Sequence, residues 1–387
     1  MKPEEAQLHR HILALDGFRG LAVFLVMFDH FTDMGGLLKG GTAIQRLLNG
    51  GYIGVDMFFI LSGFLITGIL LDTKGSQNYF SAFYARRTLR IFPLYYFVLA
   101  VAYGSAPFLS PQNNLSLTGP NSPLWYWLYV SNFGTIVKGD WLLSPYWLNL
   151  GHLWSLSIEE QFYLIWPLVV FIFPKKHLQT VCWVLVATAV SLRLYYLKTE
   201  GDYSLMAYLF TFARLNTLAI GAWLAIAFRD SVLWEQVRAL RWWVFWISGV
   251  LYFSVRTYWI DGRHYEDVFA MFFFSALLVL AIQEKGAQPW KLFLQSRPLV
   301  FLGKYSYALY IYHHLLKPIF WIKLYNGILI PTFGEGWLGV IAYICIASSV
   351  TITLALLSWH LLEWPLQRLK KRFPYRPAAP TSQAATT

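Results

Sequence analysis

Leu15-Asp16-Gly17-Phe18-Arg19-Gly20-Leu21-Ala22-Val23-Phe24-Leu25-Val26-Met27-Phe28-Asp29-His30 is an apolar run of helical length that carries a glycine-flanked arginine and a histidine. Ionisable side chains inside such a run are costly in hydrocarbon and mark functional positions by default. At 100° per residue the eleven steps from Arg19 to His30 bring both side chains within about 20° of one helix face. The same steps separate them by about 16 Å along the axis, roughly half a bilayer's hydrocarbon. A single helix is thus expected to hold an anion at the membrane surface and a proton acceptor near its middle.

The rest of the chain repeats long apolar runs. Of 387 residues, 57% are hydrophobic, 19% aromatic and only 13% charged, with a mean hydropathy of +0.46. This is the composition of a multipass integral membrane protein, and a soluble bundle would have to confine its charge to loops. Cys182 and Cys345 lie in apolar runs without disulfide or metal spacing. Residues 1–14 form a polar segment lacking a small-residue cleavage site, so the first apolar run is expected to remain as a span.

The expected fold is all-α and polytopic, with about ten transmembrane helices at 15–33, 53–71, 89–104, 159–173, 180–197, 205–228, 242–259, 268–283, 304–325 and 337–360. With the N-terminus inside, nineteen Lys and Arg fall in inner segments, among them Arg10, Arg86, Arg87, Arg90, Lys175, Lys176, Arg229 and Lys370. Only five fall outside, namely Lys39, Arg46, Lys138, Lys198 and Arg263. That asymmetry predicts cytoplasmic N- and C-termini. The net charge of +11 then reflects topology and anionic lipid headgroups, and no nucleic-acid partner is implied. The count requires an outer or re-entrant segment over 105–158, whose Trp/Tyr-rich middle at 124–137 is too short to span. Such a segment is tolerated only where protein covers it or it lines a cavity. Residues 366–387 read as a basic and then disordered cytoplasmic tail.

Further polar chemistry is concentrated in a few places. Arg86 or Arg87 and Arg90 share one helix face, and guanidinium forks suit phosphate oxygens, although positive-inside anchoring explains them equally. Around the fourth span lie His152, Trp154, Ser155, Ser157, Glu159, Glu160 and Gln161. Adjacent carboxylates at a helix mouth need pairing, hydrogen bonds or water, and capping by Ser155 or Ser157 accounts for one acid at most. Arg214, mid-span, needs a partner, for which Glu159, Asp56 or an anionic ligand would serve. His313 and His314 diverge on a regular helix, and His360 with Glu363 supplies only two ligands, so no metal site is expected.

The Arg19-to-His30 pair after Leu15-Asp16-Gly17, the run Gly54-Val55-Asp56-Met57-Phe58-Phe59-Ile60-Leu61-Ser62-Gly63-Phe64, the Arg86-Arg87-x-x-Arg90-Ile-x-Pro93 run and Leu153-Trp154-Ser155-Leu156-Ser157-Ile158-Glu159-Glu160-Gln161-Phe162-Tyr163 resemble the acyltransferase-3 family of bacterial membrane O-acyltransferases. Later similarity rests on Leu302-Gly303-Lys304-Tyr305-Ser306-Tyr307 and Glu363-Trp364-Pro365, and the resembling membrane domain covers 15–365. The resemblance implies a multipass protein of the bacterial inner (plasma) membrane. It implies transfer of an acyl group, usually acetyl, from cytoplasmic acyl-CoA to a hydroxyl of a cell-surface carbohydrate or glycosylated metabolite. Many relatives add a hydrolase-like extracytoplasmic domain, and substrates that depend on it are expected to need a separate partner here.

Combined with the charge pattern, these implications place coenzyme A phosphates on Arg19, Arg86, Arg87 and Arg90. His30 is expected to act as general base, oriented by Glu159 or Glu160, with His152, Trp154, Asp56 and Arg214 shaping the acceptor site. No metal or redox cofactor is required; direct transfer and a transient acyl-histidine stay open, as does homo-oligomerisation. The competing class is a transporter or flippase using Arg19, His30, Arg214 and Glu159 as an ion or substrate path.

Overall fold

The computed structural model describes residues 12–32, 50–109, 119–142, 144, 147–202, 204–258, 263–282, 288–334 and 336–377. Among them the regular backbone is all helical, with no strand. The expected N-terminal segment up to residue 11, the tail from 378, and the basic residues Lys2, Arg10, Lys39, Arg46 and Lys285 lie outside the described residues.

The long helices follow the apolar runs: α1 (Leu13–Thr32), α2 (Gly54–Thr73), α3 (Tyr79–Leu109) and, after two short helices α4 (Leu124–Trp127) and α5 (Ser131–Lys138), α6 (Trp154–Ile172). Next come α7 (Lys175–Glu200), the short α8 (Leu205–Leu209), α9 (Thr211–Ala227), α10 (Ser231–Tyr258) and α11 (Arg263–Ile282). Next are α12 (Pro289–Leu294), α13 (Arg297–Lys304), α14 (Ser306–Leu315), a π-helical stretch Phe320–Leu329 and α15 (Trp337–Ser358), after which helical backbone runs on through Arg372, so the start of the expected tail at 366 is helical.

Among the described residues, seven helical stretches are long and apolar enough to cross a membrane. The other three expected spans are helical but differ in kind. α1 carries Asp16, Arg19 and Asp29 within 20 residues. α10 is amphipathic, and the expected span at 304–325 is broken at Tyr305 and Leu316. The second break has a physical cause. Pro318 has no N–H to give to the turn before it, and at this break the neighbouring Leu315 carbonyl accepts the Asn149 N–H at 2.9 Å. α3 begins ten residues before the expected 89, because the arginine-bearing turns extend the apolar helix; Pro93 is therefore interior rather than in the first turn.

Close helix contacts rest on glycine. A Cβ at Gly17 or Gly20 would run into the Leu294 or Leu299 carbonyl, and one at Gly303 into that of Asp16. α1 therefore lies directly on the backbones of α12 and α13. Reciprocal contacts of Gly63 with Leu218 and Gly221 with Ile60 seat α9 on α2. Such small-residue seams are how helices associate where lipid removes the hydrophobic driving force.

The segment between α3 and α6 is held by polar side chains. Tyr95 and Tyr96 hydroxyls donate to the carbonyls of Tyr126 and Trp127 at 2.8 and 3.2 Å. Gln161 Nε2 donates to Tyr129 O at 2.9 Å and to Asn132 Oδ1 at 3.0 Å, while Asn132 reaches Leu209 O at 3.0 Å. Gln161 thus pins short, irregular backbone against α6, α8 and α9, satisfying groups that burial would otherwise strand.

Candidate active site

α1 has one cavity near each end. Toward its start, Arg19 joins Arg87 and Arg90 of α3 around a narrow cavity of about 100 Å³, also lined by Glu159, Ser62, Tyr163 and Tyr307. Arg87 and Arg90 are three residues apart and so share a face. The Arg87 guanidinium stands 5.1 Å over the Tyr163 ring and 6.0 Å from that of Phe83. Tyr163 and Ser62 hydroxyls are bonded to one another. Arg19 is paired with Asp16 at 3.4 Å. Among the described residues, Arg87 and Arg90 make no hydrogen bond or ion pair, which leaves their donors for an anion. An adjoining chamber of about 410 Å³ shares Arg19 and Arg90 and adds Lys304, Trp359 and Glu363.

Arg86 is elsewhere. Its Nη1 donates to the carbonyls of Lys370 and Phe373 at 3.1 and 3.4 Å, and its guanidinium sits 5.7 Å from the Tyr375 ring. It fastens α3 to the C-terminal segment rather than joining the other three arginines.

His30, in the last turn of α1, lines a second cavity of about 920 Å³ with His152, Trp154, His314, Tyr52, Tyr208, Trp141 and Asn149. His30 Nδ1 lies 2.9 Å from His313 Nε2, and the His314 ring meets it edge-on at 4.6 Å between centroids. His152 packs on His313 and His314 at 5.5 and 4.9 Å, and neither of its ring nitrogens has a hydrogen-bond partner. The divergence of the adjacent histidines sets their rings on two sides of His30, at the point where α14 stops. Beside this cavity Arg193 pairs with Asp267, though its Nε and one Nη have no partner, and Arg256 pairs with Glu266 at 3.2 Å, where the Tyr52 hydroxyl also donates. Asp29 accepts the Gly51 N–H at 3.1 Å and lines the same cavity as His30.

The two cavities share Val55 and Tyr310 as a common wall. The Tyr310 hydroxyl is held by Ser155 Oγ at 2.5 Å and the His152 carbonyl at 3.1 Å.

Several sequence expectations move. Glu159, expected to orient the His30 imidazole, lines the arginine cavity, and the group bonded to His30 is His313. Glu160 lines neither cavity, and its Oε1 has no hydrogen-bond partner. Neither Ser155 nor Ser157 caps α6: the N-cap is Leu153, and both hydroxyls bond within or between helices. Asp56 and Arg214, expected in the acceptor site, form a buried 2.7 Å ion pair between α2 and α9, behind Trp154 and Tyr208. His360 is exposed while Glu363 is buried against Ser358, so the pair does not converge.

Sequence reasoning passed over His313 and His314 as site residues, together with Tyr310, Lys304, Arg193, Glu266 and Asp267. The histidines and Arg193 carried the signal that identified Arg19 and His30, an ionisable group within an apolar run. Tyr310 carried none, since its part depends on which helices meet.

A family model described as an acyltransferase domain matches residues 12–360, and the chain belongs to that acyltransferase-3 family. It is 28% identical over 399 residues to the O-acetyltransferase OatA of Staphylococcus aureus strain MRSA252, covering 97% of this chain and 61% of the relative. The OatA of strain NCTC 8325 / PS 47 is likewise 28% identical, over 93% of this chain and 58% of its own length. The chain thus spans about three-fifths of the length of these relatives. No solved structure matches it significantly.

Proposed function

We propose that this chain is a membrane O-acyltransferase that moves an acetyl group from cytoplasmic acetyl-CoA to a hydroxyl of an extracytoplasmic carbohydrate or glycoside. The observation that carries this reading is the pair of unlike cavities at the two ends of α1, which share Val55 and Tyr310 in their walls. The arginine cavity has the chemistry for a polyanionic donor: Arg19, Arg87 and Arg90 offer guanidinium forks for phosphates, with Lys304 at the adjoining entrance. The histidine cavity has the chemistry for a sugar: flat aromatic faces from Trp141, Trp154 and Tyr208 beside polar side chains, among them the unpartnered ring nitrogens of His152.

In this reading the chain crosses a bacterial inner membrane about ten times with both termini cytoplasmic, as the basic-residue asymmetry requires. The arginine cavity then opens inward and the histidine cavity outward. His30 takes the proton of the acceptor hydroxyl as its oxygen attacks the thioester carbonyl. The tetrahedral intermediate collapses, the carbon–sulfur bond breaks, and the imidazolium returns its proton to the departing coenzyme A thiolate. Tyr310 stands where the acyl end must pass from one cavity to the other, and Glu159 sits among the arginines that hold the donor.

The test is release of free coenzyme A thiol from acetyl-CoA by protein in nanodiscs, with a panel of carbohydrate acceptors and His30→Ala alongside. Release that requires both an acceptor and His30 is expected. Silence with every acceptor, together with undetectable acetyl-CoA binding, would instead favour a transporter.

A further inference from the structure

We infer that His313 is a positioning residue that decides which nitrogen of His30 carries the proton, and so makes Nε2 of His30 the basic atom. The inference rests on His30 being the base and adds a residue and an orientation to it.

The argument starts from a carbonyl. His313 is fully buried near the end of α14, and its Nδ1 lies 3.2 Å from the carbonyl oxygen of Leu309, one turn earlier in the same helix. A carbonyl only accepts, so Nδ1 of His313 carries hydrogen and donates it. A neutral imidazole has one N–H, so Nε2 of His313 presents a lone pair. That lone pair faces Nδ1 of His30 at 2.9 Å, with the two rings only 25° from parallel. Two lone pairs do not meet at this distance; Nδ1 of His30 therefore carries hydrogen and donates it to His313. His30 is left with an unprotonated Nε2, the form a general base needs. A hydrogen bond at one ring nitrogen setting the state of the other is the ordinary way a histidine's tautomer is chosen.

The same bond gains strength during the reaction. Once Nε2 of His30 has accepted the hydroxyl proton, the ring is cationic and its Nδ1–H bond to His313 becomes charge-assisted. The interaction is thus stronger in the transition state than before it, so its loss should fall on kcat rather than on KM. Other rings cannot substitute: His314 approaches His30 edge-on, and the ring nitrogens of His152 make no hydrogen bond to His30. Helix geometry explains why His313 is available. The bond to Leu309 runs back along α14, so the tautomer is anchored in backbone rather than in a mobile side chain.

The experiment uses the full chain in nanodiscs, acetyl-CoA and whichever carbohydrate acceptor supports wild-type thiol release. His313→Leu is expected to lower kcat by about 100-fold, within the range of general-base effects, with the acetyl-CoA KM within about twofold of wild type. His313→Gln, whose amide oxygen can accept from Nδ1–H, is expected to recover at least about tenfold of that loss. Nitrogen NMR of 15N-histidine-labelled wild type, with His30 assigned through His30→Ala, should show a protonated Nδ1 and a bare Nε2. Wild-type turnover in His313→Leu beside a dead His30→Ala would overturn the inference while leaving His30 as base. Full turnover in His30→Ala would remove the base and this inference with it. Should His313→Leu fail to fold, the NMR decides alone: a protonated Nε2 on His30 in the wild type overturns the proposal.

Discussion

The arginine cavity and the histidine cavity are built on opposite electrostatic principles, although one helix serves both. In the first, Arg87 and Arg90 have no hydrogen-bond or ion-pair partner among the described residues, and the space between them is narrow. In the second, a far larger space has both signs of charge near it, with two ion pairs, Arg193 with Asp267 and Arg256 with Glu266. A site with unspent positive charge selects an anion before any shape is considered. A site with charges of both signs and aromatic walls selects by shape and hydrogen bonding, and leaves the imidazole as its reactive group. The division suits a reaction whose donor is heavily charged and whose acceptor is a polyol.

Mutations should separate the two cavities kinetically. The largest effect is expected at the histidine end. His30→Ala should lower kcat for thiol release by about 10²–10⁴-fold while acetyl-CoA still binds, since general-base catalysis contributes that much. Loss of donor binding in the same variant would break the division.

Next comes the pair that belongs to neither cavity. Arg214→Leu leaves the Asp56 carboxylate buried and alone, which costs about 3–5 kcal/mol when one member of a buried pair is removed. The measurement is the thermal half-life of the purified protein in detergent. Asp56→Leu combined with Arg214→Leu should recover much of the loss, because the double replacement leaves no isolated charge. An Arg214→Leu variant as durable as wild type but with a raised acceptor KM would return Arg214 to the acceptor site.

At the arginine end, Arg87→Ala should raise the acetyl-CoA KM by roughly 10-fold or more with little change in kcat, as loss of a charge-assisted hydrogen bond of about 1.5–3 kcal/mol implies. A fall in kcat alone would blur the contrast between the cavities. Arg86→Ala and Glu160→Gln sharpen it from the other side. Neither residue lines a cavity, and each is expected to change both constants by less than about threefold. A tenfold rise in donor KM for Arg86→Ala would show that the arginine cavity extends to the C-terminal segment.

The broad architecture was legible in the chain because hydrocarbon imposes a severe local rule: a spanning segment must be apolar and helical for about 20 residues. Among the described residues, seven of the ten expected spans accordingly fall on helices long and apolar enough to cross a membrane. Arg19 and His30 were legible for the same reason, since an ionisable group in an apolar run stands out and helical rise fixes the spacing between two of them. Their common helix needs no tertiary information.

What the residues could not reveal alone is which groups meet across helices. Glu159 adjoins Glu160 in sequence, yet the first lines the arginine cavity and the second neither cavity, because successive side chains on α6 point about 100° apart toward different neighbours. Arg86 and Arg87 divide in the same way, one bound to the C-terminal segment and the other turned to the cavity. His313 reaches His30 from 283 residues away only because α14 ends beside the end of α1. Hydropathy and periodicity are properties of a segment, and they determined the helices and the unusual residues on them. Partnership depends on the packing of glycine seams and the breaks in helices, and for that only the folded chain held the answer.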